Sequence, residues 1–80
     1  MNRYETLDRL ILEAISNEFN PYENNPVWYE AERLRELEKT TGAFRHPMRI
    51  VDHRLQHLRK KGSVYYVAKG FRRGWHIKHT

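Results

Sequence analysis

In "YETLDRLILEAISNEF" the apolar residues Leu7, Ile11, Ala14 and Ile15 return at the spacing of one helix face. Leu10 and Phe19 widen that stripe, and Glu5, Asp8, Arg9 and Glu13 take the other positions. The pattern predicts a first helix from about Tyr4 to Asn17. The next stretch, "NEFNPYENNP", is rich in Asn and Pro and breaks the periodicity, with Asn25 as an N-cap and Pro26 at the first helical position. Two readings stay open for Val27, Trp28 and Tyr29: the first turn of a second helix, or a short strand ahead of a helix starting near Glu30. In both, "AERLRELEKTTG" is helical, with Ala31, Leu34 and Leu37 inward and Gly42 as the stop. Trp28 and Tyr29 read as core or rim packing rather than a platform for bases.

A third helix starts at Pro47. Met48, Val51, Leu55 and Leu58 share one narrow face that must be buried. At 100° per residue the opposite face carries His46, Arg49, His53, Gln56, His57 and Lys60, with Arg45 at its start and Asp52 as the acid at its edge. The helix ends in "RKKG", where cations suit the negative end of the helix dipole and Gly62 supplies a left-handed cap. Beyond it, "SVYYVA" alternates like a half-buried strand, "KGFRRG" is a glycine-bounded turn, and "WHIK" returns with Trp75 and Ile77 on one face. The pattern predicts a two-stranded antiparallel sheet joining about 64–68 with 75–78.

Charge sharpens this picture. Residues 1–40 hold five Lys or Arg against nine Asp or Glu, a balance of −4. Residues 41–80 hold ten Lys or Arg against Asp52 alone, a balance of +9, and all five histidines. Solubility does not require the signs to be sorted along the chain; a face that meets a polyanion does. A buried face backed by Arg, His and Gln is what a major-groove reader needs, since Arg bonds guanine O6 and N7 together and Gln does the same to adenine. The bases would fall to Arg45, His46, Arg49, His53 and Gln56. The phosphates would fall to His57, Lys60 and Lys61 at the helix end and to Lys69, Arg72 and Arg73 in the hairpin turn.

The order of three helices and a basic hairpin, with the text "RIVDHRLQHLRKKGSVYYV…RRGWHI", resembles the winged helix-turn-helix family over most of the chain. More narrowly, "TTGAFRHPMRIVDHRLQHLRKKG" is similar to small helix-turn-helix modules common in prophages. The resemblance implies an α+β fold, one winged helix-turn-helix domain over residues 1–80 with a C-terminal two-stranded wing. It also implies sequence-specific binding of double-stranded DNA by a small phage- or plasmid-type transcriptional regulator or architectural factor. Carried over residue by residue, it points to Arg45, Arg49, His53 and Gln56 for bases, and to Lys60, Lys61, Arg72 and Arg73 for phosphates. The chain departs from the family's usual Ser or Thr cap on the recognition helix, since Arg45 and His46 precede Pro47. The alternative is a winged-helix interaction module whose acidic N-terminal half docks a protein partner or a second copy, with nucleic acid touched without sequence preference.

Other chemistry is poorly served. Cysteine is absent, and serine occurs only at 16 and 63. Asp52 and His53 are adjacent on a helix and point apart, so no nucleophile, paired carboxylates or phosphate loop converge, and no enzyme is expected. His53 and His57 stand one turn apart, and His76 lies near His79, but no carboxylate completes a metal site, so no metal or cofactor is expected. The opening residues lack the apolar run and cleavage site of a signal peptide, and no segment has the ~20 apolar residues of a membrane span. A cytoplasmic, nucleoid-associated protein with no membrane partner is the expectation.

Overall fold

The computed structural model describes residues 3–39 and 46–78. Three helices, α1 (Glu5–Ser16), α2 (Asn25–Lys39) and α3 (Pro47–Lys61), are followed by two strands, β1 (Val64–Val67) and β2 (Gly74–Ile77). The strands pair antiparallel, with Val64 opposite Ile77 and Val67 opposite Gly74. This is an α+β fold in a winged-helix layout.

Helix α1 buries Leu7, Ile11, Ala14 and Ile15, as its periodicity predicts. Phe19 does not extend the stripe. Glu18 adopts a left-handed conformation (φ 62°), and the Phe19 N–H turns back to the Ala14 carbonyl (2.8 Å), which closes the helix and leaves the Phe19 ring 60% exposed.

In α2 the choice left open at Val27–Tyr29 resolves as helix. The cap lies one residue earlier than predicted. Asn24, not Asn25, accepts the Val27 N–H on its side-chain oxygen (3.2 Å), and its carbonyl accepts the Trp28 N–H. With the helix starting there, Val27, Ala31, Leu34 and Glu38 form the inward row. Leu37 falls to one side of that row and is 46% exposed, a correction to its predicted place in the core. Trp28 packs edge-on to His46, whereas Tyr29 is exposed. Gly42 lies outside the described residues.

Helix α3 also turns slightly from its predicted orientation. Ile50, Val51, Leu55 and Leu58 are buried and Met48 is only half-buried, because the inward arc is wider than the Met48–Leu58 row and is centred nearer Ile50 and Arg54. Gly62 (φ 89°) closes the helix, with its own N–H on the Arg59 carbonyl and the Ser63 N–H on the Leu58 carbonyl.

Arg54 occupies the middle of that buried arc. Its Nε–H and Nη2–H donate to the two oxygens of Asp8 at 2.9 and 2.7 Å, and its guanidinium lies 4.7 Å from the centre of the Tyr4 ring. Tyr4 donates its hydroxyl to Glu38 at 2.9 Å. One polar chain, Asp8–Arg54–Tyr4–Glu38, therefore joins all three helices. The paired hydrogen bond to Asp8 holds the Arg54 proton more tightly than in free arginine, against the opposing effect of burial.

Candidate nucleic-acid interface

The exposed side of α3 exists because the other side is buried. At 100° per residue, Arg49 falls opposite the Ile50–Arg54–Leu58 arc, with His53 and Lys60 beside it. Arg49, His53, His57 and Lys60 are exposed and Gln56 is half-buried. The five side chains occupy three successive turns of one helix side. Lys61 lies further round and faces a groove shared with Glu13 of α1 and Tyr65 of β1.

His46 sits at the head of this side in an extended conformation (φ −63°, ψ 144°) and caps α3, its Nδ1 accepting the Met48 N–H at 3.2 Å. A histidine thus fills the place of the Ser or Thr that the resemblance leads one to expect, and Pro47 follows at the first helical position. With Nδ1 accepting, a neutral ring carries its proton on Nε2, which makes that nitrogen a hydrogen-bond donor. Arg45 lies outside the described residues.

The hairpin turn carries Lys69, Arg72 and Arg73, all exposed. Gly70 (φ 93°) and Gly74 (φ 127°) permit the reversal between them, and the Arg73 N–H bonds the Gly70 carbonyl at 3.2 Å. Arg72 reaches back to the Tyr65 hydroxyl (3.4 Å), and its carbonyl meets His76 Nε2. Tyr65 and His76 stack on one face of the sheet, and Tyr66 and Trp75 meet on the other.

Of the ten Lys or Arg after residue 40, Arg54 is committed to Asp8 and Arg45 is undescribed, and the other eight are exposed. Among the described residues none of those eight is held in an ion pair. The cations of the acidic half behave differently: Arg9 pairs with Glu13, Arg33 with Glu30, and Arg35 and Lys39 with Glu36.

Asp52, the acid at the edge of the α3 face, is engaged elsewhere. Tyr22, in the α1–α2 connection, donates its hydroxyl to Asp52 Oδ1 at 2.8 Å. Burial, and then the Asp52 carboxylate, push the Tyr22 hydroxyl above the ordinary tyrosine range. Tyr22 thereby ties the α1–α2 connection to α3, a link between residues too distant in sequence to be read from periodicity. The folded chain holds this proton more tightly than the unfolded chain, so its contribution to stability is full below about pH 10 and is lost as pH rises beyond that. Tyr22→Phe should cost about 1 kcal/mol at neutral pH and should flatten the fall in stability above about pH 10. Urea midpoints on either side of that pH check this; an unchanged alkaline slope would contradict it.

Among the described residues no group of three or more His, Cys, Asp or Glu is placed to hold a metal ion. His53 and His57 are exposed on successive turns, and His79 lies outside the described residues. No helix among the described residues is long and apolar enough to cross a membrane.

The layout is that of a winged helix, with a basic third helix and a basic hairpin after it. No family model, no curated protein and no solved structure matches the chain.

Proposed function

We propose that this chain is a sequence-specific double-stranded DNA-binding protein of the winged helix-turn-helix kind, a small phage- or plasmid-type regulator or architectural factor. Helix α3 enters the major groove, which is wide enough for a helix and displays a distinct donor and acceptor pattern for each base pair. His46, Arg49, His53 and Gln56 read bases, together with Arg45. His57, Lys60 and Lys61 at the helix end and Lys69, Arg72 and Arg73 in the wing take phosphates or the minor groove.

The observation that carries this reading is the unshared charge. Eight exposed cations follow residue 45, none in an ion pair among the described residues, and the single acid beside them is hydrogen-bonded to Tyr22. A basic surface of that kind is free to release counterions from a phosphate backbone. Arg49 at the centre of a rigid helix side supplies the bidentate geometry that selects a base.

Selection from a random duplex library tests the proposal. A preferred site should emerge whose complex survives excess random DNA at ~150 mM salt, since specific binding exceeds non-specific binding by about a thousandfold or more. If no site is enriched and binding fades with salt for every sequence, the interaction-module reading gains: the acidic helices would dock a partner and the basic half would hold nucleic acid without reading it.

A further inference from the structure

Half of the chain's ten aromatic residues border one cleft. Phe19 and Tyr22, from the α1–α2 connection, form one wall, and Tyr66, Phe71 and Trp75 of the hairpin form the other. Three of these rings are turned to solvent in a way the fold does not need: Phe19 is 60% exposed, Tyr66 is 50% exposed, and Phe71 is fully exposed. Exposed aromatics are costly to keep in water, and a contiguous group of them marks a binding surface.

The cleft is built rather than incidental. Its two walls are braced by the hydrogen bond from Tyr22 to Asp52 and by Tyr66 packed on Trp75 at 5.1 Å. Phe19 is held out of the α1 stripe by the left-handed turn at Glu18, a conformation that side chains other than glycine rarely adopt. Phe71 forms the lip between Gly70 and Arg72. The charge at the rim is Arg72 and Arg73 against Glu18. Aromatic faces beside guanidinium groups match an unpaired nucleotide, whose base stacks while its phosphate is neutralised. An apolar peptide would gain nothing from the two arginines.

We infer that this cleft binds unpaired nucleobases, as a single strand or as a base exposed at the end or in a distorted part of a duplex. The inference extends the proposed DNA contact, since Tyr22 and Asp52 join the cleft to the edge of the α3 face. It stands on the cleft's own chemistry and can be tested without a duplex.

The test compares a short oligothymidylate with an abasic oligomer of the same length and charge. Stacking is worth roughly 1–3 kcal/mol per base, so oligothymidylate should bind about 5- to 150-fold more tightly for each base engaged. Phe71→Ala and Phe19→Ala, both at exposed positions and checked for unchanged thermal unfolding, should bring that ratio close to one while leaving abasic affinity unaltered. Replacing Arg72 and Arg73 together by Ala should weaken both ligands equally and keep the ratio. Arg49→Ala should leave the ratio intact, so a failure of duplex recognition and a failure of the cleft are separable. A ratio near one in the unaltered chain, or a ratio insensitive to both phenylalanine substitutions, would overturn the inference.

Discussion

Leu55→Ala should destabilise the chain by ~2–5 kcal/mol, and His53→Ala, two residues away, should change stability by less than about 0.5 kcal/mol. Leu55 is wholly excluded from solvent beside Ile50, Val51 and Leu58, so truncation removes buried apolar area and leaves a cavity in the layer between the helices and β1. His53 is exposed, and its removal empties only water-filled space. Eighty residues hold in total on the order of 4–12 kcal/mol, so the Leu55 variant should lose a large share of the chain's stability. Urea or guanidinium midpoints measure both; the reverse order would mean that the buried and exposed sides of α3 have been exchanged.

Arg54→Ala should cost a comparable amount for a different reason. The Arg54 side chain is 6% exposed and that of Asp8 19%, so removing the guanidinium leaves a carboxylate with little water and no partner. Breaking a buried pair in this way costs roughly 3–5 kcal/mol; the residual exposure of Asp8 places the expected value at the lower end. Replacing both partners, as Asp8→Leu with Arg54→Met, should recover most of the loss, because neither charge is then stranded. The exposed Arg9–Glu13 pair, with both side chains about 60% exposed, should by contrast contribute under ~1 kcal/mol. A double-mutant cycle on denaturant midpoints gives the coupling. A loss below about 1 kcal/mol for Arg54→Ala would show that the three-helix polar chain is not structural. Arg54 should also leave the salt dependence of DNA binding unaltered, unlike its exposed neighbours.

Elements whose signal is local and redundant were legible. The order of three helices and a hairpin, the Gly62 cap and the pairing of 64–67 with 74–77 all follow from periodicity and glycine placement within a few residues. The exposed side of α3 was equally readable, since Arg49 and His53 lie opposite a buried row by geometry alone. Positions that depend on partners were not. Leu37 and Glu38 compete for the same inward place, and Glu38 takes it, where the hydroxyl of Tyr4, just ahead of α1, meets it. Arg54 lies mid-way between Ile50 and Leu58 on the buried arc; that placement was a signal that an acid must face it, though not which one. The Asn24 cap shifted by one residue because either asparagine satisfies the local pattern. The aromatic cleft brings residues 19 and 22 against 66–75, and no periodicity spans that separation.

Arg49 and the wing arginines should separate reading from holding, and their comparison across a salt series is the most direct test of the DNA-binding proposal. On the preferred duplex, Arg49→Ala should cost ~1–3 kcal/mol and relax discrimination at one base position, with a smaller loss on scrambled DNA. Replacing Arg72 and Arg73 together by Ala should weaken preferred and scrambled duplexes alike, and the slope of log K against log salt should fall by about one for each phosphate that is no longer neutralised. If instead the Arg49 variant loses only general affinity while the wing variant loses discrimination, or neither changes any binding, α3 is not the element that reads the duplex and the proposal is wrong.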